Sequence, residues 1–314
     1  MILTKNIFLK NFKNKVNTKN IHKDLAKFLK NKNQILNSLS NEYEYSYSNI
    51  FIKKFKNKFT SLRIIGMGGS ILGMKAIYNF LKFKIKKKIF FVDNLVSYRK
   101  NTKEKNYLNL IISKSGNTLE TISNVNLLIN KKTKNIFITE NKDNYLRKLA
   151  NKLKSEIVDH NNFIGGRYSV LSEVGMLPTS LIGLNEKKFK QFNSLIKNKK
   201  FINALVLNVA NIIFFLKKKK FNSIIINYDE NSDDLFRWYQ QLVAESLGKK
   251  QKGLLPSIST MPKDNHSLMQ LYLDGPKNNF FTFFNTSESK SNKLNTRDLI
   301  KSHNYLKNKN LYEI

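Results

Sequence analysis

The sequence predicts an α/β protein built on doubly wound parallel sheets, with a first domain followed by a second, incomplete one. Three observations carry this. Short, almost continuously apolar runs rich in Ile, Phe and Val recur along the chain, and each closes on Gly, Asn, Asp or Ser. Segments with helical spacing lie between those runs. The alternation restarts after a charged stretch at 185–200. Strands covered on both faces read as unbroken apolar runs, so the pattern points to parallel strands with helices packed on either side.

In chain order, residues 1–50 are polar and rich in Lys and Asn, with helical spacing at Leu25, Phe28 and Leu29; they read as an N-terminal helical arm. "LRIIGMGGS" (62–70), "KIFFVDN" (88–94), "NLIISKSG" (109–116) and "NIFITEN" (135–141) read as strands. Helices fill 71–80 and 119–129. These elements define a first domain at 51–190. A second, 191–314, opens with a helix at 201–216 and the strand run "FNSIIINYDE" (221–230). Asp233 or Asp234 is placed to N-cap a helix running to Leu247, and Gly248 stands where a C-cap glycine belongs. "NFFTFFN" (279–285) is the last strand candidate. Two or three strands are few for a self-sufficient sheet, and 286–314 is polar, so the expectation is a fragment or a chain that needs a partner.

Composition excludes several function classes. The chain has 314 residues and a net charge of +34, carried by 50 lysines and six arginines. Sequence-specific nucleic-acid readers rely on the bidentate fork of arginine, whereas these lysines are spread over the whole length. The charge is therefore read as a composition bias that favours small anionic substrates, with no specific nucleic-acid partner. There is no cysteine, so disulfides, zinc–thiolate sites and cysteine nucleophiles are excluded, in keeping with a reducing compartment. The N-terminal residues lack the apolar core of a secretory signal, and the most apolar stretch, 206–216, is shorter than the roughly 18–20 residues of a membrane span. A soluble cytoplasmic protein without a membrane partner is expected.

Four places carry chemistry. "GMGGS" (66–70) and "SKSGNT" (113–118) each follow a strand and open a helix, where main-chain N–H groups and the helix dipole favour an anion. Taken alone, the first is equally a tight turn. With the hydroxyls of Ser113, Ser115 and Thr118 and the charge of Lys114 added, the pair suits a phosphate monoester at the carboxyl ends of the strands. In "GGRYS" an arginine stands directly behind Gly165 and Gly166. On the helix containing "QLVAES", Gln241 and Glu245 are four apart and share a face. Glu245 is either a solvated helix-end residue or a carboxylate facing a cleft, desolvated towards the pKa a general base needs. His266, in "MPKDNHSLMQ", is an acid–base candidate, although an isolated histidine is more often a surface residue. A phosphate cradle, an arginine, a glutamate and a histidine together suit proton transfer beside the carbonyl of a sugar phosphate, with no metal or cofactor required.

"GMGGSILG" (66–73), "SKSGNTLET" (113–121), "GGRYSVLSEVG" (165–175), "QLVAESLGK" (241–249) and "NHSLMQLYLDGP" (265–276) resemble, in order and spacing, the glucose-6-phosphate isomerase family with its paired sugar-isomerase (SIS) domains. The resemblance covers about residues 60–276. It implies two SIS domains, the second partial, and interconversion of glucose 6-phosphate and fructose 6-phosphate by ring opening and enediolate proton transfer, or sugar-phosphate binding without chemistry. It implies phosphate contacts from Gly69, Ser70, Ser113, Lys114, Ser115, Gly116, Asn117 and Thr118, where Asn117 replaces a threonine common in the family. It further implies Gln241 as a sugar-binding residue, Arg167 as the enediolate-stabilising cation, Glu245 as the base and His266 as the ring-opening group, supplied across a homodimer interface. The family's C-terminal lysine, in a final helix, has no counterpart before Ile314.

Overall fold

The computed structural model describes residues 16–31, 33–95, 106–286, 292–294, 301–310 and 313–314. The readings made for residues 1–15, 287–291 and 295–300 lie outside these. The arm contributes α1 (Lys19–Lys30) and α2 (Gln34–Ser38). There follow α3 (Asn49–Lys56), β1 (Ser61–Ile65), α4 (Leu72–Phe80), β2 (Lys88–Val92), β3 (Tyr107–Ile112), α5 (Leu119–Leu128), β4 (Lys134–Glu140), α6 (Tyr145–Lys152), β5 (Glu156–His160) and α7 (Glu173–Leu181). The rest comprises α8 (Phe192–Lys197), α9 (Lys199–Lys217), β6 (Asn222–Asn227), α10 (Asp233–Leu247), β7 (Leu255–Thr260), α11 (Met269–Asp274) and β8 (Asn279–Phe284).

The first sheet has five parallel strands in the order β2-β1-β3-β4-β5. Its apolar runs are continuous because both faces are covered. Leu62, Ile64, Leu108, Leu110, Ile112, Ile136 and Ile138 pack with Ile52 and Phe55 of α3, Met74 of α4 and Val174, Leu177 and Leu181 of α7. The intervening Ile65, Ile111 and Phe137 pack on the other face with Val125 of α5 and Leu146 and Ala150 of α6. This is the doubly wound arrangement expected from the sequence. The chain leaves β1 towards β2 on one side and returns at β3 on the other. The ends of β1 and β3 therefore form the topological switch point, where ligands enter such sheets.

The second sheet has three parallel strands in the order β7-β6-β8. On it, Phe215 of α9 stacks on Phe280 with centroids 5.0 Å apart, and Phe236 of α10 meets Phe284 edge-on at 4.9 Å. α10 also packs along α4, joining the two sheets through helices.

Some local expectations are corrected. Neither Asp233 nor Asp234 caps α10; both lie in its first turn, and Ser232 occupies the cap position without capping the helix through its side chain. Asp233 instead accepts from Asn227 Nδ2 and Thr260 Oγ1, tying the helix start to β6 and β7. Gly248 does end the helix, its N–H bonded to the Ala244 carbonyl at 2.8 Å. The apolar run at 206–216 extends into a 19-residue helix, α9, which by length and composition is apolar enough to cross a membrane. Val206 and Ala210 of that helix are buried within the protein.

Candidate active site

The switch point presents both phosphate-loop candidates side by side. After β1, Gly68–Ser70 forms a 3-10 turn before α4; after β3, Ser113–Thr118 leads into α5, with Thr118 at its cap position. The second loop is braced internally: the Ser113 and Thr118 hydroxyls lie 2.8 Å apart, and the Gly116 N–H donates to the Ser113 carbonyl at 3.1 Å. Gly116 has φ +66°, and a Cβ there would run into the side-chain amide of Asn144, so this bend requires glycine.

Two of the expected ligands are engaged elsewhere. Lys114 Nζ donates to the Asn162 carbonyl at 2.7 Å and lies 3.3 Å from Glu140, whose carboxyl is held below its ordinary pKa by Lys114 and Lys142 against the opposing effect of burial. Asn117 Oδ1 accepts the N–H of Tyr145, so this residue helps to start α6.

The glycine pair leads into a second 3-10 turn, Gly166–Leu171, which lies against the Gly68–Ser70 turn. The close approach falls on Gly69 rather than on the pair itself. A Cβ on Gly69 would overlap the Gly166 carbonyl and the Arg167 nitrogen, whereas one on Gly166 would have its nearest neighbour 4.0 Å away.

α10 supplies the remaining side chains. Arg167 Nη1 donates to Glu245 Oε1 at 2.6 Å, and Gln241 Nε2 donates to Glu245 Oε2 at 3.1 Å. Gln241 also faces the first loop, its Nε2 within 2.9 Å of where a Cβ on Gly68 would stand. Gln241 Oε1 is buried and has no hydrogen-bond partner among the described residues. Arg167 is held from three further directions. Its Nε donates to Ser246 Oγ at 3.0 Å, its guanidinium carbon lies 4.6 Å from the Tyr168 ring centroid, and its carbonyl accepts the Trp238 indole N–H at 3.0 Å. Partial burial pulls the Arg167 pKa down, but Tyr168 and Glu245 outweigh it and hold the group above its ordinary value, so it remains charged.

Of the two readings of Glu245 the structure matches the solvent-exposed one. Its side chain is 52% exposed and paired with a cation, not desolvated among the apolar residues of its turn. His266 is exposed at the end of the 3-10 turn Lys263–His266. Asp264 fixes that turn to the end of β7 by accepting from Ser259 Oγ at 3.0 Å and from the Thr260 N–H at 2.8 Å. Among the described residues, no hydrogen bond or ion pair joins His266 to Glu245, Arg167 or either loop. Ser246, Tyr168 and Trp238 were missed as partners of Arg167. Two of them adjoin residues already singled out, but nothing in their spacing shows that they converge.

A sequence profile of phosphoglucose isomerase matches residues 9–262. The chain is 34% identical over 251 residues to a glucose-6-phosphate isomerase of Methanocaldococcus jannaschii, covering 74% of this chain and 62% of the relative. It is 35% identical over 263 residues to one of Mycoplasma genitalium, covering 74% and 59%. The chain thus spans about three-fifths of the length of these curated relatives. Among solved structures, a Thermus thermophilus hypothetical protein superposes with a TM-score of 0.77 at 21% identity, over 94% of this chain and 77% of that one. A glucose-6-phosphate isomerase from Chlamydia trachomatis gives 0.59 at 23%, over 74% and 51%. Both likenesses are of fold. The profile match over most of the chain, together with the ordered motifs, establishes that this protein belongs to the phosphoglucose isomerase family.

Proposed function

We propose that the chain interconverts D-glucose 6-phosphate and D-fructose 6-phosphate. The observation that carries this is the convergence of Arg167, Glu245 and Gln241 on the Gly68–Ser70 turn at the switch point of the first sheet. A phosphate monoester is held by the main chain of Gly69 and Gly116 and by Ser70, Ser113, Ser115 and Thr118, with Lys114 and Asn117 at the rim. Gln241 Oε1 takes a sugar hydroxyl. The Glu245 carboxylate removes the proton from the carbon next to the carbonyl and returns it to the adjacent carbon. Arg167 stabilises the oxyanion as the enediolate forms.

In this reading residues 51–190 are the phosphate-holding SIS domain, 191–314 a partial second one and 1–50 an arm. The exposure of His266 and its separation from Glu245 support a homodimer, in which His266 of the partner subunit opens the sugar ring. The lack of cysteine supports a reducing, cytoplasmic setting.

A coupled assay on the purified chain, run in both directions, tests the proposal. Turnover supports it. Binding of a phosphorylated enediolate mimic without turnover would support sugar-phosphate binding without chemistry instead.

A further inference from the structure

The Arg167 guanidinium is more firmly fixed than its pairing with Glu245 requires. Trp238 holds its main chain, with the indole N–H on the Arg167 carbonyl at 3.0 Å. Its guanidinium carbon lies over the Tyr168 ring, 4.6 Å from the centroid. Ser246 Oγ accepts the Nε–H at 3.0 Å and lies 2.7 Å from the Tyr168 hydroxyl, so these two side chains brace each other as well as the arginine. Nη1 alone of the guanidinium nitrogens reaches the Glu245 carboxylate.

These contacts divide the labour within one planar group. The Nε edge is anchored to a neutral hydroxyl on α10, and the Nη edge faces the carboxylate that acts on substrate. We propose that Ser246, braced by Tyr168, is a positioning residue. It fixes the Nε edge of Arg167 so that Nη1 can pass from Glu245 to the enediolate oxygen by a small pivot rather than by a search through rotamers. Without that anchor the Nε edge is free to turn onto Glu245 as well, tightening the pair that substrate has to part. The base and the cation then restrain each other at the moment both are needed. The inference rests on the isomerase reading for its effect on turnover, but not for the anchoring itself.

The test uses the full chain, with Ser246→Ala, Ser246→Thr, which keeps the hydroxyl, and Tyr168→Phe, which keeps the ring. The chain has six arginines, so labelling arginine alone with nitrogen-15 gives few Nε signals, and Arg167→Lys identifies the relevant one. The expected result is Nε–H exchange with solvent about tenfold faster in Ser246→Ala, within twofold of wild type in Ser246→Thr, and intermediate in Tyr168→Phe. In step with it, turnover falls about tenfold in Ser246→Ala with KM within twofold, and Ser246→Thr restores it. Unchanged Nε–H exchange in Ser246→Ala overturns the proposal. So does faster exchange with turnover intact, or a loss confined to KM. A wild-type chain without turnover sinks the isomerase reading separately. The exchange rates, and a tenfold weaker grip of Ser246→Ala on a phosphorylated hydroxamate mimic of the enediolate relative to fructose 6-phosphate, then decide the positioning role.

Discussion

Arg167 Nη1 donates to Glu245 Oε1 at 2.6 Å, joining the turn behind the glycine pair to the last turn of α10. The cation proposed to stabilise the enediolate and the carboxylate proposed to carry the proton are thus ion-paired in the unliganded chain. Substrate has to part them. The oxygen that takes over Nη1 also leaves the carboxylate free to act as a base.

This relationship makes the arginine hard to replace with the lysine used almost everywhere else in the chain. An ammonium keeps the charge but loses the Nε bond to Ser246 and the broad guanidinium contact over the Tyr168 ring. Arg167→Lys is expected to lower kcat by about a hundredfold, the scale seen when one oxyanion donor is removed, while KM changes less than about threefold. Steady-state kinetics in both directions checks it; a loss expressed mainly in KM would assign Arg167 to ground-state binding.

The packing of the two 3-10 turns predicts an asymmetry between glycines. Gly69→Ala drives a methyl into the Gly166–Arg167 peptide and is expected to cost about 1–3 kcal/mol, as overpacking does, and to displace Arg167. Gly166→Ala has open space beside it and is expected to stay within about 0.5 kcal/mol of wild type. Urea unfolding of both variants measures the difference, and equal costs would contradict this packing.

A buried cation ties the arm to the Gly166–Leu171 turn and gives a pH signature. Lys190 donates to the Ser38 and Leu171 carbonyls and lies over the rings of Tyr43 and Tyr45, at 4.6 and 4.9 Å. Burial pulls its pKa down from 10.5 to about 8, against the opposing pull of Glu173, whose own carboxyl is pushed up by burial. Between about pH 8 and 10.5 the unfolded lysine is therefore protonated while the folded one is not. The contribution of this site to stability rises with pH across that window. The unfolding free energy of wild type minus that of Lys190→Met should climb from pH 8 to 10; a flat or falling difference would contradict the burial described for this group.

Much of the architecture was legible because burial on both faces leaves a simple mark. The runs at 110–112 and 136–138 are apolar without a break, and the glycine and serine clusters behind Ile65 and Ile112 locate two of the strand ends. β5 and β7 left weaker traces. "EIVDH" is short, with three polar residues in five, at one edge of its sheet, and "LPSIST" is interrupted by a proline and two serines. Pro256 is tolerated because β7 is also an edge. α7 was hidden by Pro178 in its interior, although core burial along its length holds the helix together. In the site, single residues were legible from their motifs, but their pairings were not. Ser246 and Trp238 meet Arg167 only once α10 packs along α4 and against the Gly166–Leu171 turn. The ion pair that leaves Glu245 half-exposed is set by the same packing.

Glu245 is proposed to carry the proton between adjacent carbons of a sugar phosphate, and deuterium exchange at carbon reads that step itself. The chain is incubated with fructose 6-phosphate in deuterium oxide and deuterium at C1 is followed by NMR. The wild type should incorporate it steadily, and Glu245→Gln, with similar shape and no base, about a thousandfold more slowly. Exchange in Glu245→Gln at the wild-type rate would contradict the account.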